Sequence, residues 1–341
     1  MWIIVNSILW TMLGMLLIRL RFMPRFFPQL LGKSLYWIGV PLQIFVLGHQ
    51  SDFSNTVWLP SAITVAVLFL GWGLAVLCWR REQEGFEDEL VIISGQLGKA
   101  HATRLPKETQ RQLPWITELL PQFMSRYRSR QGSFILASML GNTGFIGLAV
   151  VPALVSKSYW SWIVLYGLTH NILGSYGLGT ILASHFSSSN RKDEWWMALR
   201  NVLCVPALWA FVIGWHSQDV QFPIIVENGL NISVLLVVPA AFVLIGMQLS
   251  QLQGFQNLDR AIAPTVLKIV VLPGLTGLAC TLLGIQGDAR LVLTIMSGMP
   301  TAFANAILAE EYNLDRTIAA SSIFLSTVML PLTIPLWLTI L

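Results

Sequence analysis

Long apolar runs recur along the whole chain, each near the length at which a helix crosses a bilayer. About 20 apolar residues are needed to traverse roughly 30 Å of hydrocarbon. Ten such runs lie at 2–20, 30–48, 57–79, 133–155, 159–183, 195–214, 224–249, 261–284, 291–309 and 317–341. Of 341 residues 55% are hydrophobic and only 11% charged, against about 25% charged in soluble domains. So few charges cannot solvate a water-exposed fold of this size, which excludes an ordinary soluble enzyme. The first run has neither a basic residue ahead of it nor a small-x-small cleavage site, so it is expected to be retained as a span. The predicted fold class is an all-α polytopic membrane protein with ten transmembrane helices.

Cys78, Cys204 and Cys280 stand singly inside apolar runs and form neither a metal site nor a disulfide framework. No metal and no cofactor are expected. The net charge of +4 does not indicate nucleic acid, because the basic residues gather beside apolar runs, where they set membrane orientation. Arg19, Arg21, Arg25 and Lys33 follow the first run; Arg80, Arg81 and further basic residues up to Arg130 follow the third; Arg191, Lys192 and Arg200 follow the fifth. Arg260 and Arg316 continue the alternation, whereas the opposite side holds only Lys157 and Arg290. Cytoplasmic loops retain Lys and Arg, so both termini are expected on the non-cytoplasmic side. Trp2, Trp58, Trp79, Trp160, Trp195, Trp196 and Trp337 lie near run ends, as headgroup anchors do.

The chain also repeats itself. Pro41 and Gly48 in the second run keep the same separation as Pro239 and Gly246 in the seventh. If runs one to five correspond to six to ten, the odd number of crossings gives two halves of opposite orientation, as in many secondary transporters. The first inverted repeat would cover 1–185, with a cytoplasmic loop at 80–132, and the second 186–341.

The fourth run of each half is the most unusual. One reads Gly141-Asn142-Thr143-Gly144, the other Met299-Pro300-Thr301-Ala302 with Asn305 beyond. Pro300 lacks a ladder donor, and Gly141, Gly144 and Gly298 lower the cost of leaving helical angles, so both helices are expected to break at mid-membrane depth. Unwound backbone there requires protein or a watery cavity around it. Each half-helix starting after a break presents free N–H groups and about half a positive charge, which suits an anion. Asn142, Thr143, Thr301 and Asn305 either hydrogen-bond that anion or cap the broken ends locally.

These stretches resemble the auxin efflux carrier family, including its bacterial permeases. The match rests on Gly141 to Leu148, Thr169-His170-Asn171-Ile172, Pro239 to Leu249, Met299 to Ala302, Ala309 to Tyr312 and Ser326-Thr327. The resemblance implies an inverted five-plus-five repeat whose broken helices four and nine cross, with spans one, two, six and seven as a scaffold. It implies alternating-access carriage of small organic anions, such as auxin-like weak acids or dicarboxylates, across the plasma (inner) membrane. A homodimer through the scaffold helices is left open as a partner arrangement. Two features depart from the family pattern. Ala149 stands where the family has Pro, so a milder first break is expected. The segment 80–132 is longer than expected, and Leu113, Trp115, Ile116, Leu119, Leu120, Phe123 and Met124 recur in it at helical spacing, which predicts an interfacial amphipathic helix.

No Asp or Glu lies near the centre of any run, so carboxylate proton relay is not expected. His170, near the middle of the fifth run, reads as a neutral core residue or a coupling group. Lys268, about two turns into the eighth run, reads as a snorkelling side chain or as an attractor of the anion. Gly174, Gly177 and Gly179 allow close helix packing and form no phosphate loop. Two further readings remain open: a sodium-coupled symporter of the bile-acid type, and a receptor or scaffold that keeps a transporter fold. No acid pair, G-x-S-x-G or H-E-x-x-H lies at membrane depth, so catalysis is not expected.

Overall fold

The computed structural model describes residues 2–20, 23–24, 26–51, 53, 58–95, 114–187, 200, 203–251 and 258–341, leaving aside the side chains of 2–5, 82–95 and 114–123. The described residues are overwhelmingly helical. In chain order they form α1 (Trp2–Arg19), α2 (Phe27–His49), α3 (Trp58–Gly95), α4 (Pro114–Met139), α5 (Thr143–Ala153), α6 (160–186), α7 (Pro206–His216), α8 (Ile224–Gln251), α9 (Asp259–Leu282), α10 (Gly287–Ser297), α11 (Ala304–Glu311) and α12 (Arg316–Ile340). Five of these contain segments long and apolar enough to cross a membrane: α2, the Trp58–Arg81 part of α3, α8, α9 and α12. The protein is a multi-pass membrane protein.

The other expected spans differ from that simple length. Runs four and nine are split into α4 with α5 and α10 with α11. The fifth, α6, carries a ten-residue π-helical stretch, His170–Gly179. Of the sixth, only α7 is described as a helix, entered through Pro206 in its first turn, where a missing N–H leaves no bond unmade. Trp195 and Trp196 lie outside the described residues.

Two shorter π turns have a visible cause. Leu35–Gly39 and Leu267–Val271 each end just before a proline, Pro41 and Pro273. Proline removes a donor and crowds the preceding turn, and a local widening of the helix absorbs both.

The third span does not stop at Trp79. α3 runs 38 residues, roughly 57 Å at 1.5 Å per residue, well beyond the hydrocarbon. The segment expected as a separate interfacial helix is also continuous with the next span, since α4 runs unbroken from Pro114 to Met139. Pro114 at its first position suits a helix start, and Gly132 inside it weakens the helix without ending it. Leu113 lies outside the described residues.

Two helix pairs approach to backbone contact. On α1 and α8, a Cβ added at Gly14 would meet the Val243 carbonyl oxygen at 2.1 Å, and one at Gly246 would meet that of Thr11 at 2.0 Å. On α2 and α7, Gly48 faces the Gly214 backbone, and a Cβ at Gly214 would lie 2.7 Å from the Phe45 carbonyl oxygen. Small residues at such crossings let backbones approach where lipid gives no hydrophobic drive to association. Outward faces are apolar, with Ile225 of α8 86% exposed, as a lipid-facing side chain should be.

Two large apolar clusters fill most of the interior, beside a small one of Leu35, Val237, Ala241 and Leu244. One joins α2, α5, the start of α6, α8, α10 and the end of α12; the other joins α3, the end of α4, the end of α6, α11 and the start of α12. Leu140 belongs to the second and Met299 to the first, so the two interruptions lie where the clusters meet. Asp315 fixes the start of α12: its Oδ1 accepts from the Thr317 and Ile318 amides, each at 3.0 Å. Removing that cap by Asp315→Ala is expected to lower stability by about 0.5–2 kcal/mol, read as a fall in melting temperature of the purified protein.

Candidate functional site

The two interrupted helices cross at their interruptions. α4 ends at Met139 and α10 at Ser297. The residues beyond them pair as a short antiparallel bridge between Gly141 and Thr301. The Asn142 amide donates to the Pro300 carbonyl at 2.7 Å, and the Ala302 amide to the Leu140 carbonyl at 3.0 Å. This bridge satisfies backbone groups that would otherwise be costly at membrane depth. The first interruption is therefore complete, not mild. Ala149 lies within helix α5, well past the break at 140–142, so a proline is not needed there to open it. Pro152 acts further on, where α5 tightens to a 3-10 turn at Val151–Ala153.

Each helix end at the crossing is capped by side chains from elsewhere in the chain. The last carbonyls of a helix lack intrahelical partners. For α4, Thr301 Oγ1 donates to the Ala137 carbonyl at 3.0 Å and Asn305 Nδ2 to that of Leu136 at 3.2 Å. For α10, Lys268 Nζ donates to the Ser297 carbonyl at 2.7 Å. The ammonium thus meets the negative end of a half-helix, where a cation is favoured. Lys268 does not snorkel: it is 1% exposed, because its position on α9 turns it toward the crossing. His170 is equally buried, and its Nε2 accepts from the Gly141 amide at 3.3 Å. With Nε2 as acceptor, a neutral ring carries its proton on Nδ1.

Local capping and free polar atoms coexist at the crossing. Asn142 Oδ1 caps α5 by accepting from the Phe145 amide at 3.2 Å. Its Nδ2, Thr143 Oγ1, Asn305 Oδ1 and His170 Nδ1 are buried without a hydrogen-bond partner. Buried polar groups are normally paired, and four unpaired ones around a single crossing mark a place that can bind something. Gly144 contributes backbone only, since a Cβ there would meet Asn171 Nδ2 at 2.9 Å.

Two further contributors come from α12 and α2. Ser326 Oγ on α12 accepts from the Thr301 amide at 3.0 Å, and buried Gln43 on α2 donates through Nε2 to the Leu148 carbonyl at 2.7 Å. A glutamine inside the apolar run 30–48 was the signal available for the latter. Replacing Thr301 by Val removes one bond and leaves the Ala137 carbonyl without it, an expected cost of about 1–3 kcal/mol, measurable by thermal unfolding.

The bridge and the caps satisfy the backbone at the interruptions themselves. A cavity of about 220 Å³ opens one helical turn away, between α1, α5, α8 and α12, lined by Thr11, Met15, Ile146, Phe242, Thr327 and Pro331 among others. It is almost wholly apolar, because most side chains these helices present to it are apolar.

A family model described as membrane transport protein matches residues 116–338, which include both interruptions. The chain belongs to the auxin efflux carrier family. Curated proteins that it resembles include an uncharacterized transporter of Methanocaldococcus jannaschii, 26% identical over 60% of this chain and 67% of that protein. Another is an uncharacterized transporter of Methanothermobacter thermautotrophicus, 27% identical over 62% of this chain and 68% of that one. Membership in this family makes the chain a membrane transporter. The matched region contains every residue of the crossing described above except Gln43.

Proposed function

We propose that this transporter is a secondary carrier of small organic anions, which binds its substrate at the crossing of the two interrupted helices. The observation that carries the reading is the cluster of unpaired buried polar atoms, Asn142 Nδ2, Thr143 Oγ1 and Asn305 Oδ1, beside two half-helix N-termini. A carboxylate accepts from Asn142 Nδ2 and from the Thr143 hydroxyl, and the N-terminal dipoles of α5 and α11 favour its charge. Asn305 Oδ1, an acceptor, orients a hydroxyl or protonated group of the same substrate.

The glycine contacts support an inverted repeat. Gly14 with Gly246 joins spans one and seven, and Gly214 with Gly48 joins six and two. A two-fold operation that carries span one to six and seven to two exchanges these pairs. In this reading spans one, two, six and seven form the scaffold, and the remaining helices carry the crossing past it. Both termini face away from the cytoplasm, and the carrier resides in the plasma (inner) membrane.

The test is a thermal-shift screen of the purified chain against malonate, benzoate and indole-3-acetate at several pH values. A ligand at 100 times its dissociation constant adds about 2.7 kcal/mol of stability. A carboxylate that raises the melting temperature of the wild type but not of Thr143→Val supports the reading. A set of carboxylates that raises neither contradicts it.

A further inference from the structure

Lys268 is a buried basic side chain at the crossing, and among the described residues no acidic side chain pairs with it. Among residues whose side chains are described, Asp and Glu lie at helix ends or in connecting turns, and the ion pairs of Arg130 with Asp315 and of Arg316 with Glu310 do not include Lys268. An ionised group inside a membrane protein is held only where a partner or polar backbone compensates it. Here the compensation is backbone. Nζ donates to the Ser297 carbonyl, the last residue of α10, where the helix presents about half a negative charge. Nζ and the Met299 carbonyl oxygen also lie 2.9 and 3.1 Å from the point where a Gly141 side chain would begin. Nζ therefore donates to the end of one half-helix while it is pressed against the backbone of the other interruption. A Cβ at Gly141 would displace the end of the lysine side chain.

Carbonyl oxygens at a helix end, without a carboxylate, are also what a small monovalent cation coordinates in an unwound membrane helix. We propose that Lys268 is the resident cation of the crossing, tethered in the place that a co-transported sodium ion would otherwise fill. This rests on the carrier reading and adds its ion requirement. The negative helix end is neutralised by the chain itself, so an anion binds and crosses with no dependence on which monovalent cation is present. It also assigns Lys268 a positioning role, through the helix end, without contact to the substrate.

The experiment is thermal unfolding of the full purified chain in sodium chloride and in choline chloride at equal ionic strength, for the wild type and Lys268→Ala. The wild type is expected to melt at the same temperature in both salts. Lys268→Ala is expected to melt lower by roughly 5 °C or more in choline, and to regain about half of that in sodium, which fits the vacated space while choline does not. Specific stabilisation of the wild type by sodium overturns the proposal. So does a Lys268→Ala protein that melts like the wild type, or one lowered equally in both salts, which leaves only a packing role. If Lys268→Ala does not fold, Lys268→Gln carries the same comparison, since it retains a donor while removing the charge. These readouts need no substrate. A failure of carboxylates to bind or move therefore counts against the carrier reading alone.

Discussion

Asn142→Ala is expected to slow carboxylate uptake into vesicles by about tenfold to a hundredfold. A hydrogen bond from a neutral donor to a charged group contributes about 1.5–3 kcal/mol, and each 1.4 kcal/mol is a factor of about ten. The same change removes the cap on α5, in which Asn142 Oδ1 accepts from the Phe145 amide, and lowers stability by about 0.5–2 kcal/mol. Asn142→Asp separates these effects. Aspartate still caps the helix, so the protein should fold as well as the wild type, but its charge repels an anion at the free Nδ2 position. Uptake should be lost although the melting temperature is retained. An Asn142→Asp protein that carries carboxylates at the wild-type rate contradicts the assignment.

The largest effect on stability is expected at Gly246. A Cβ there would lie 2.0 Å from the Thr11 carbonyl oxygen, and the reciprocal Gly14 position is as tight against Val243. Neither obstacle is the movable end of a side chain. Both are helix backbone, so Gly246→Ala must push α1 and α8 apart along their whole crossing. Overpacking by a methylene in an adaptable core costs about 1–3 kcal/mol. Here the expected cost exceeds about 3 kcal/mol, seen as loss of monodisperse protein after purification or a melting temperature lowered by several degrees. Gly73→Ala is the matched control: it also lies within a long helix, α3, but nothing stands within 4 Å of its added Cβ. Helix propensity alone should make that change neutral or stabilising by up to about 1 kcal/mol. Equal effects at the two positions would show that the α1–α8 contact is not close.

Several of these features were legible in the amino-acid sequence because they are local. Apolar length and the mid-run Pro300 and Gly141 act on their own backbone, and they placed the interruptions correctly within runs four and nine. Pairing is not local. That Gly141 bridges Thr301, and that Thr301 and Asn305 cap α4 rather than their own helix, depends on contacts more than 150 positions apart. Lys268 shows the same limit. Its depth along α9, nine residues or about 14 Å from Asp259 at 1.5 Å per residue, allowed either snorkelling or burial. Rotation about the helix axis decided for burial, because the facing surface is the end of α10. Local reasoning also overestimated Ala149. A break already opened at 140–142 needs no proline at 149. The residues 96–113 and 188–199, where several basic residues were used to orient the chain, lie outside the described residues.

The most direct measurement is flux. The wild-type chain, reconstituted in vesicles loaded with buffer, should accumulate radiolabelled benzoate, malonate or indole-3-acetate above protein-free vesicles when an inward gradient of that carboxylate is imposed. The rise should saturate with concentration and shrink by about tenfold or more in Asn142→Asp. A wild-type protein that moves none of these carboxylates under any imposed gradient would contradict the account of the crossing as an anion site.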